Sequence, residues 1–344
     1  MGNLAITYRH IAAILSFETS NSKLETLLSD PSFDWDVIVV EGSKHLVLPA
    51  IYCRLKAKQL LHVLPEELDI YLEEITSINR NRNTSILNQV HFIAQLLKAN
   101  DINHVFLKGA ALLASGYYED NAERMVGDID ILVSKSQLKM AFDLIKANGY
   151  TKTFGFAYET IGFRHLDRLI APNALAAIEL HDELLLPNYR NLIDINKVLN
   201  SKTSINHIAV PNSYYLGKHQ ILAWQLNDRG HFYNAINLKI LYDSLVLKVH
   251  THTLLLSDLS KFKFGQSYLE LATYYFEEFC GVLSNKHSKS YRNLHLKYVT
   301  NPFYKFILKP IKYAYIYTIT RFILIFYNKF YRRHLLKIIF VSKK

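Results

Sequence analysis

Apolar residues recur at helical spacing in the first part of the chain. Leu4, Ile11 and Leu15 keep a period close to 3.6 residues, which is typical of the buried face of an amphipathic helix. Asp34 precedes an apolar run and can cap a second helix, although the Val-Ile-Val-Val sequence at residues 37–40 also fits a short strand. The pattern therefore predicts helices, with one segment left open between helix and strand.

A further helical stretch starts at Pro65. Proline is favoured in the first turn of a helix, and the two glutamates that follow it suit the positive end of the helix dipole. Polar residues at 81–83 interrupt the apolar period, so we predict two helices between residues 65 and 97. Residues 1–100 are thus predicted to form an N-terminal helical region.

The pattern changes after residue 101. An apolar run at residues 105–107 stops at a Lys-Gly pair, small residues at 110–115 resume a helical pattern, and a second apolar run follows at 131–133. That order predicts strand, turn, helix and strand. Further segments predict a helix that ends at Gly149 and then three strands, at residues 150–158, 163–170 and 176–181.

Helical patterns return downstream of this mixed segment. We predict an α/β core over residues 101–187, a C-terminal helical region over residues 188–280, and a basic, aromatic-rich tail over residues 281–344. The expected fold class is α+β: a small mixed β-sheet with helices packed on it, flanked by N- and C-terminal helical regions.

Composition adds a charge asymmetry to this division. The 344 residues carry a formal net charge of +10, yet neither Asp nor Glu occurs after Glu278. Residues 281–344 hold 14 of the 40 Lys and Arg residues, so the tail is strongly basic while the rest of the chain is mildly acidic. Such an asymmetry concerns the partners of the chain rather than its fold.

The sequence indicates neither a signal peptide nor a metal site formed by cysteines. The first residues lack the basic and continuous apolar regions of a signal peptide. Cys53 and Cys280 lie far apart and form no metal-binding pattern. We therefore expect a cytoplasmic protein with reduced thiols.

The tail contains a nearly apolar run of 17 residues, 311–327, which includes Lys312 and Arg321. A spanning helix needs about 20 apolar residues and disfavours a central arginine, so spanning is marginal. Three alternatives remain for the tail: packing on the body as core, binding to an anionic membrane surface through residues 300–344, and RNA binding. The membrane alternative would place the protein at the inner face of the membrane.

Two carboxylates begin the apolar run at residues 131–133. Because side chains alternate across a strand, Asp128 and Asp130 face one way while Ile129 and Ile131 face the core. Strand geometry separates the two aspartates by roughly 6.5–7 Å, and they repel each other unless a cation lies between them. Hard oxygen ligands of this kind suit Mg²⁺ bound together with substrate phosphates.

Four elements in order resemble the uncharacterised bacterial nucleotidyltransferases of the DNA polymerase beta-like superfamily. They are Lys-Gly-Ala at residues 108–110, Arg124, Gly-Asp-x-Asp-x-Leu-Val at 127–133, and x-Glu-Leu-His at 178–181. The resemblance covers residues 102–181 closely and residues 35–260 loosely. It implies metal-dependent transfer of a nucleoside monophosphate, with Asp128 and Asp130 as catalytic metal ligands.

The remaining site residues are assigned from their positions around these aspartates. Glu179 shares a strand face with His181, so we expect Glu179 as the third catalytic metal ligand and His181 as a nucleotide-binding group. Lys108 and Gly109 lie where a strand enters a helix and can hold phosphate, and Arg124 can reach the triphosphate.

A second motif of the resemblance lies in the helical region that follows. There a histidine, matched by His219, precedes a Lys-x-Leu-x-Asp segment at residues 239–243. Lys239 and Asp243 stand four residues apart on a predicted helix, and we interpret them as a surface ion pair.

The resulting hypothesis is a Mg²⁺-dependent enzyme that transfers NMP from an NTP, with ATP as the first candidate, to an acceptor hydroxyl and releases pyrophosphate. The acceptor is open between a small molecule, a sugar, a protein and RNA. Two alternatives remain: a glycosyltransferase that holds a nucleotide sugar through Asp-x-Asp, and a non-catalytic membrane-peripheral or nucleic-acid-binding accessory protein with the same fold.

Overall fold

The computed structural model describes residues 3–154, 166–282 and 286–341. Within these residues the chain has the expected α+β architecture, in which a small mixed sheet lies among helices. One hydrophobic core extends from Tyr8 to Phe279 and joins the sheet to the helices on both sides of it. Parts of the strands predicted at 150–158 and 163–170 lie outside the described residues.

The N-terminal region is helical, as predicted. Side chains of Asn3, Ser20 and Asp34 accept hydrogen bonds from backbone N–H groups and cap the first three helices. The segment that also fitted a strand is helical. The five helices are α1 (Leu4–Leu15), α2 (Asn21–Leu28), α3 (Trp35–Lys44), α4 (Leu48–Ala57) and α5 (Glu66–Ala99).

Helix α5 is a single helix of 34 residues, so the predicted break at residues 81–83 is wrong. Two of the three polar residues that suggest a break, Arg82 and Asn83, contact the loop before β2, and Asn79 one turn earlier contacts it as well. Asn79 donates to the carbonyl oxygen of Ala122 at 2.6 Å, and Asn83 donates to that of Arg124 at 2.7 Å. Both asparagines are buried, because this face of α5 covers a loop whose carbonyl groups need donors.

The sheet carries the candidate site. It is formed by β1 (His104–Phe106), β2 (Asp128–Val133), β3 (Lys152–Phe154), β4 (Arg168–Ile170) and β5 (Ala177–His181), in the order β1-β2-β5-β4-β3. β2 and β5 are parallel, whereas the other pairs are antiparallel. Helix α6 (Lys108–Ala114) follows β1 directly, and α7 (Leu138–Ala147) connects β2 with β3.

The region after the sheet is helical except for one hairpin that the sequence did not indicate. That hairpin consists of β6 (Thr203–Ile205) and β7 (Ile208–Val210). Asn234 adopts a left-handed conformation and ends one helix of this region before the next begins at Leu238. The helices are α8 (Ile195–Asn200), α9 (Ser213–Leu222), α10 (Gly230–Tyr233), α11 (Leu238–Val246), α12 (Thr253–Leu259) and α13 (Lys263–Tyr275), and α9 continues as a π-helical turn, Ala223–Asn227.

The tail divides into a packed and an exposed part. Helix α14 (Lys286–Thr300) buries Tyr291, His295 and Tyr298 against the body, as the packing alternative expects. Helix α15 (Lys309–Tyr327) has no buried residue, and α16 (Lys329–Val341) follows it. No helix among the described residues combines the length and the apolar character that crossing a membrane requires.

Candidate active site

The two aspartates of β2 face one cleft. Asp128 and Asp130 line it, while the alternating Ile129 and Ile131 are fully buried in the core. The cleft has a volume of about 210 Å³, and its other walls come from α6, α11 and the π-helical turn after α9. The side-chain alternation expected from the sequence is therefore observed.

Asp130 is deeply buried, and its carboxylate contacts two side chains. Nζ of Lys108 lies 2.6 Å from its Oδ1, and Nε2 of His181 lies 2.8 Å from the same oxygen. Burial alone would raise the pKa of Asp130, but Lys108 and His181 hold that pKa well below its ordinary value. Asp130 is thus a stable carboxylate, although only 2% of the residue is exposed.

Glu179 stands directly opposite Asp130 in the parallel strand pair, so the strand register brings these two acids together. Its Oε1 accepts a hydrogen bond from Nε of Arg168, and its Oε2 lies 3.6 Å from Nε2 of His181. Nη2 of Arg168 also lies 3.4 Å from Oδ2 of Asp128. No local sequence signal marks Arg168, since its contacts with the acids depend on the pairing of β4 with β5.

Asp128 is the most accessible of the three acids, with about a third of its side chain exposed. Burial and the charges of Asp130 and Glu179 raise its pKa, whereas Lys108 and Arg168 oppose this change. The repulsion predicted between Asp128 and Asp130 is therefore seen in the raised pKa of Asp128.

The acids form a candidate metal centre. Asp130, Glu179 and His181 each place a potential ligand atom within 4.8 Å of the others. Carboxylate oxygens suit a hard divalent cation, and an imidazole nitrogen extends the choice to transition metals. Lys108 and Arg168 balance part of the negative charge, and Asp128 supplies a further oxygen from the same strand face. These residues fit a divalent cation.

Three of the expected nucleotide-binding residues border the cleft, and His181 lies behind it. Lys108 adopts a left-handed φ of 49° where β1 turns into α6. A Cβ at Gly109 would lie 2.9 Å from Cγ2 of Val126, so packing alone requires glycine there. His181 is 2% exposed and contacts the carboxylates.

Arg124 also lines the cleft, but its guanidinium is already engaged. Its Nε lies 2.9 Å from Oδ1 of Asp243, and its Nη1 donates to the carbonyl oxygen of Met125 at 2.7 Å. Asp243 is fully buried and also accepts a hydrogen bond from the hydroxyl of Tyr118. Arg124 thus connects the cleft wall to helix α11.

The position of Lys239 differs from the one predicted. Its predicted surface ion pair with Asp243 is not formed, because Asp243 is buried and bound by Arg124. Lys239 is instead half-buried in the cleft wall, and its side chain makes no hydrogen bond or ion pair with any residue the structure describes. Burial, followed by the nearby charge of Arg124, lowers the pKa of Lys239 to about 8.

Two neutral side chains complete the cleft, and no sequence signal marks either of them. Trp224 presents an indole ring from the π-helical turn, and Gln220 lies one turn earlier in α9. Gln220 is 3% exposed, and its Oε1 has no hydrogen-bond partner within the described ranges. The cleft therefore offers an aromatic surface and a buried acceptor close to the acids.

An Asp-x-Asp strand, a third acid on its parallel neighbour and a lysine-lined cleft fit the class of metal-dependent nucleotidyltransferases. The model of a family described as uncharacterised nucleotidyltransferases matches residues 31–253, which is more than half of the chain. The protein therefore belongs to this nucleotidyltransferase family. No match is found among curated proteins.

Proposed function

We propose that this nucleotidyltransferase moves NMP from an NTP, with ATP as the first candidate, to an acceptor hydroxyl with release of pyrophosphate. The observation that supports this proposal is that Asp128 and Asp130 line one cleft while Glu179 lies opposite Asp130 on the adjacent parallel strand. Three carboxylates this close, with lysines beside them, suit a cation and a polyphosphate better than a neutral ligand.

We assign the metal to the three acids and favour Mg²⁺. When bound, Mg²⁺ would neutralise the charge that develops on the phosphates and align the reacting oxygens. His181 hydrogen-bonds Asp130 and holds its carboxylate in place. Arg168 does the same for Glu179 from the adjacent strand.

The triphosphate is assigned to the basic side of the cleft. Lys108 and Lys239 supply amino groups there, and Arg124 supports the wall between them while contacting Asp243. Trp224 offers a face on which a base can stack. In this arrangement Lys239 is a phosphate-binding residue, and Gly109 keeps the turn narrow enough for Val126 to pack.

The direct test is mass spectrometry after the full chain has been incubated with each NTP, Mg²⁺ and candidate acceptors: small alcohols, sugars, proteins and RNA. We expect a mass increase equal to one NMP on one class of acceptor or on the enzyme. The matched control is Asp128→Asn combined with Asp130→Asn. Transfer that persists in this control contradicts the proposal. In a parallel incubation with a nucleotide sugar in place of the NTP, transfer of the sugar would establish the glycosyltransferase alternative.

We also propose that the tail binds the anionic, cytoplasmic surface of a membrane. Helix α15 leaves its large apolar side chains in solvent, and the residues after Glu278 contain no acid that would repel anionic lipid. The half-buried residues of this helix are Lys309, Lys312, Ile316 and Leu324. The exposed apolar and aromatic residues are Ile311, Tyr313, Tyr315, Tyr317, Ile319, Phe322, Ile323, Ile325, Phe326 and Tyr327.

Flotation with liposomes tests this surface in the full chain. We expect the protein to float with vesicles that contain phosphatidylglycerol and to be released by high salt. Phe322→Ser with Phe326→Ser should weaken flotation, whereas Ile70→Ser with Ile78→Ser, which are equally exposed on α5, should not. Equal flotation of both variants would contradict the proposed role of α15.

A further inference from the structure

A second cavity lies apart from the acids. It has a volume of about 670 Å³, roughly three times that of the candidate active-site cleft, and falls within the range of small-molecule sites. Its walls come from the loop after β5, the π-helical turn, α10, α13, α14 and the first turns of α15. Catalysis as proposed above does not use it.

The cavity and the cleft lie on two sides of one short segment. Trp224 and Asp228 line the cleft, whereas Gln225, Leu226 and Arg229 line the cavity. The segment 223–230 therefore separates two spaces, so that a ligand in the cavity need not compete with one in the cleft.

The cavity is positively charged. Arg229, Lys263, His287 and Lys312 line it, and no Asp or Glu does so among the residues that the structure describes. Lys312 donates to the carbonyl oxygen of Phe232 at 2.9 Å and to Oδ1 of Asn234 at 3.0 Å, which are neutral acceptors. The positive charge is thus not neutralised by the lining.

The pKa of the half-buried His231 is affected by this charge. Burial, followed by the charges of Lys263, His287 and Lys312, lowers the pKa of His231 to about 4. His231 is accordingly neutral at physiological pH. Its ring stacks on Tyr291 with a centroid distance of 5.1 Å and meets the ring of Phe264 edge-on. Aromatic walls therefore adjoin the cationic groups.

One polar side chain in the wall lacks the partners that its burial requires. Gln225 is 2% exposed, and neither its Nε2 nor its Oε1 has a hydrogen-bond partner among the described residues. A buried amide without partners is costly, and such groups commonly meet a ligand or ordered water. Gln225 can both donate to and accept from a polar group in the cavity.

We propose that this cavity is a binding site for an organic phosphate. Arg229, Lys263 and Lys312 hold the phosphoryl group, aromatic side chains contact its carbon skeleton, and Gln225 bonds a neutral polar group of the ligand. The phosphate can belong to a soluble metabolite or to a lipid headgroup, because Lys312 and Ile316 come from the otherwise exposed helix α15. The proposal does not depend on the nature of the transferred group.

Calorimetric titration of the full chain with phenyl phosphate tests the soluble form, with phenol as the uncharged control. We expect binding of phenyl phosphate and at least a tenfold loss of affinity in Arg229→Gln and in Lys263→Gln. Lys263 is exposed, so its substitution does not threaten folding. Lys286→Gln removes the same charge from an exposed site outside the cavity and should bind as the wild type does.

Lys239→Gln separates the cavity from the cleft. Unchanged binding by this variant supports the proposal, whereas a loss in Lys239→Gln that is absent in Lys263→Gln places phenyl phosphate in the cleft and overturns it. The lipid form is tested with phosphatidylcholine vesicles that carry phosphatidate or phosphatidylserine at equal surface charge. Preference for phosphatidate that Lys263→Gln abolishes identifies a lipid headgroup. If the wild type binds neither phenyl phosphate nor phosphatidate selectively, the proposal is wrong.

Discussion

Arg124 and Asp243 form a buried ion pair across 119 positions of sequence, with Nε of the arginine 2.9 Å from Oδ1 and 3.0 Å from Oδ2 of the aspartate. Arg124 lies in the loop that leads into β2, the strand that bears Asp128 and Asp130, and Asp243 belongs to helix α11. The pair therefore fixes the cleft wall of the α/β core to the helical region that follows it.

We predict that Arg124→Met or Asp243→Asn lowers the free energy of unfolding by about 3–5 kcal/mol, because each leaves a buried charge without its partner. Urea denaturation measures this change. The control is Asp143→Asn, which breaks the exposed Lys139–Asp143 pair and should cost less than about 1 kcal/mol. Equal costs for the buried and exposed pairs would contradict the structural role of Arg124.

The two aspartates of β2 should differ in their effect on stability. Asp128→Asn relieves repulsion from Asp130 and Glu179, so we expect an unchanged or higher melting temperature without metal. Asp130→Asn removes the charge that Lys108 and His181 contact and should lower that temperature. Both changes should abolish NMP transfer. A thermal scan and a transfer assay check this, and a stabilised Asp130→Asn would be the contrary result.

Glu179 should be more important to turnover than the acid that follows its strand. We predict that Glu179→Gln loses at least about tenfold in kcat, because the residue lies opposite Asp130 and is one of the proposed metal ligands. Asp182→Asn is the matched control, since Asp182 is also partly buried but lies beyond the end of β5. A larger loss in the Asp182 variant would mean that the third acid has been misassigned.

Lys239 should make nucleotide binding depend on pH. Its pKa is about 8 in the folded protein and about 10.4 in an unfolded chain. We predict that KM for NTP rises as pH increases through about 8, because the amino group loses its charge. Between about pH 8 and about pH 10.4 the unfolded chain binds more protons at Lys239 than the folded protein does, so the contribution of Lys239 to the free energy of unfolding rises with pH.

Two variants isolate this effect. Lys239→Arg keeps its charge and should remove the rise in KM, while Lys239→Gln should show a high KM at every pH. Steady-state kinetics between pH 6 and about 9.5 would measure both. A wild-type KM that does not change with pH would exclude Lys239 from phosphate binding.

The continuous helix α5 depends on buried asparagines. We predict that Asn83→Ala lowers the free energy of unfolding by about 1–3 kcal/mol, because it removes the hydrogen bond to the carbonyl oxygen of Asn121 and leaves that of Arg124 with only the longer, 3.4 Å hydrogen bond from Asn79. Asn81→Ala, on the exposed side of the same helix, should change it by less than about 0.5 kcal/mol. Denaturant titration of the two variants distinguishes these effects.

The sequence was most informative where a signal is local. Alternation along residues 128–133 and 176–181 identified both strands of the site, and the Lys-Gly pair located the turn into α6. Asp34 was recognised as a helix cap, and its helix was confirmed. Each of these signals depends on neighbours only a few residues away, so a single sequence contains the information needed.

Features set by distant contacts were not predictable in the same way. Arg82 and Asn83 look like part of a helix break in the sequence, because the loop that they contact is distant along the chain. Lys239 looks like a surface residue, because nothing near it in the sequence shows that Asp243 is buried and bound by Arg124. Arg168 joins the acids only because β4 pairs with β5. The division of the chain at residues 100, 187 and 280 remains a prediction.

The strand order has a consequence for how the protein is made. β5 is the last of the five strands to be synthesised, yet it lies in the middle of the sheet, between β2 and β4. A nascent chain that ends before Ala177 can pair β1 with β2 and β3 with β4, but it lacks the strand that joins these two pairs among the described residues. The central strand and the third acid arrive together, so completion of the sheet and assembly of the proposed catalytic centre are one event during biosynthesis.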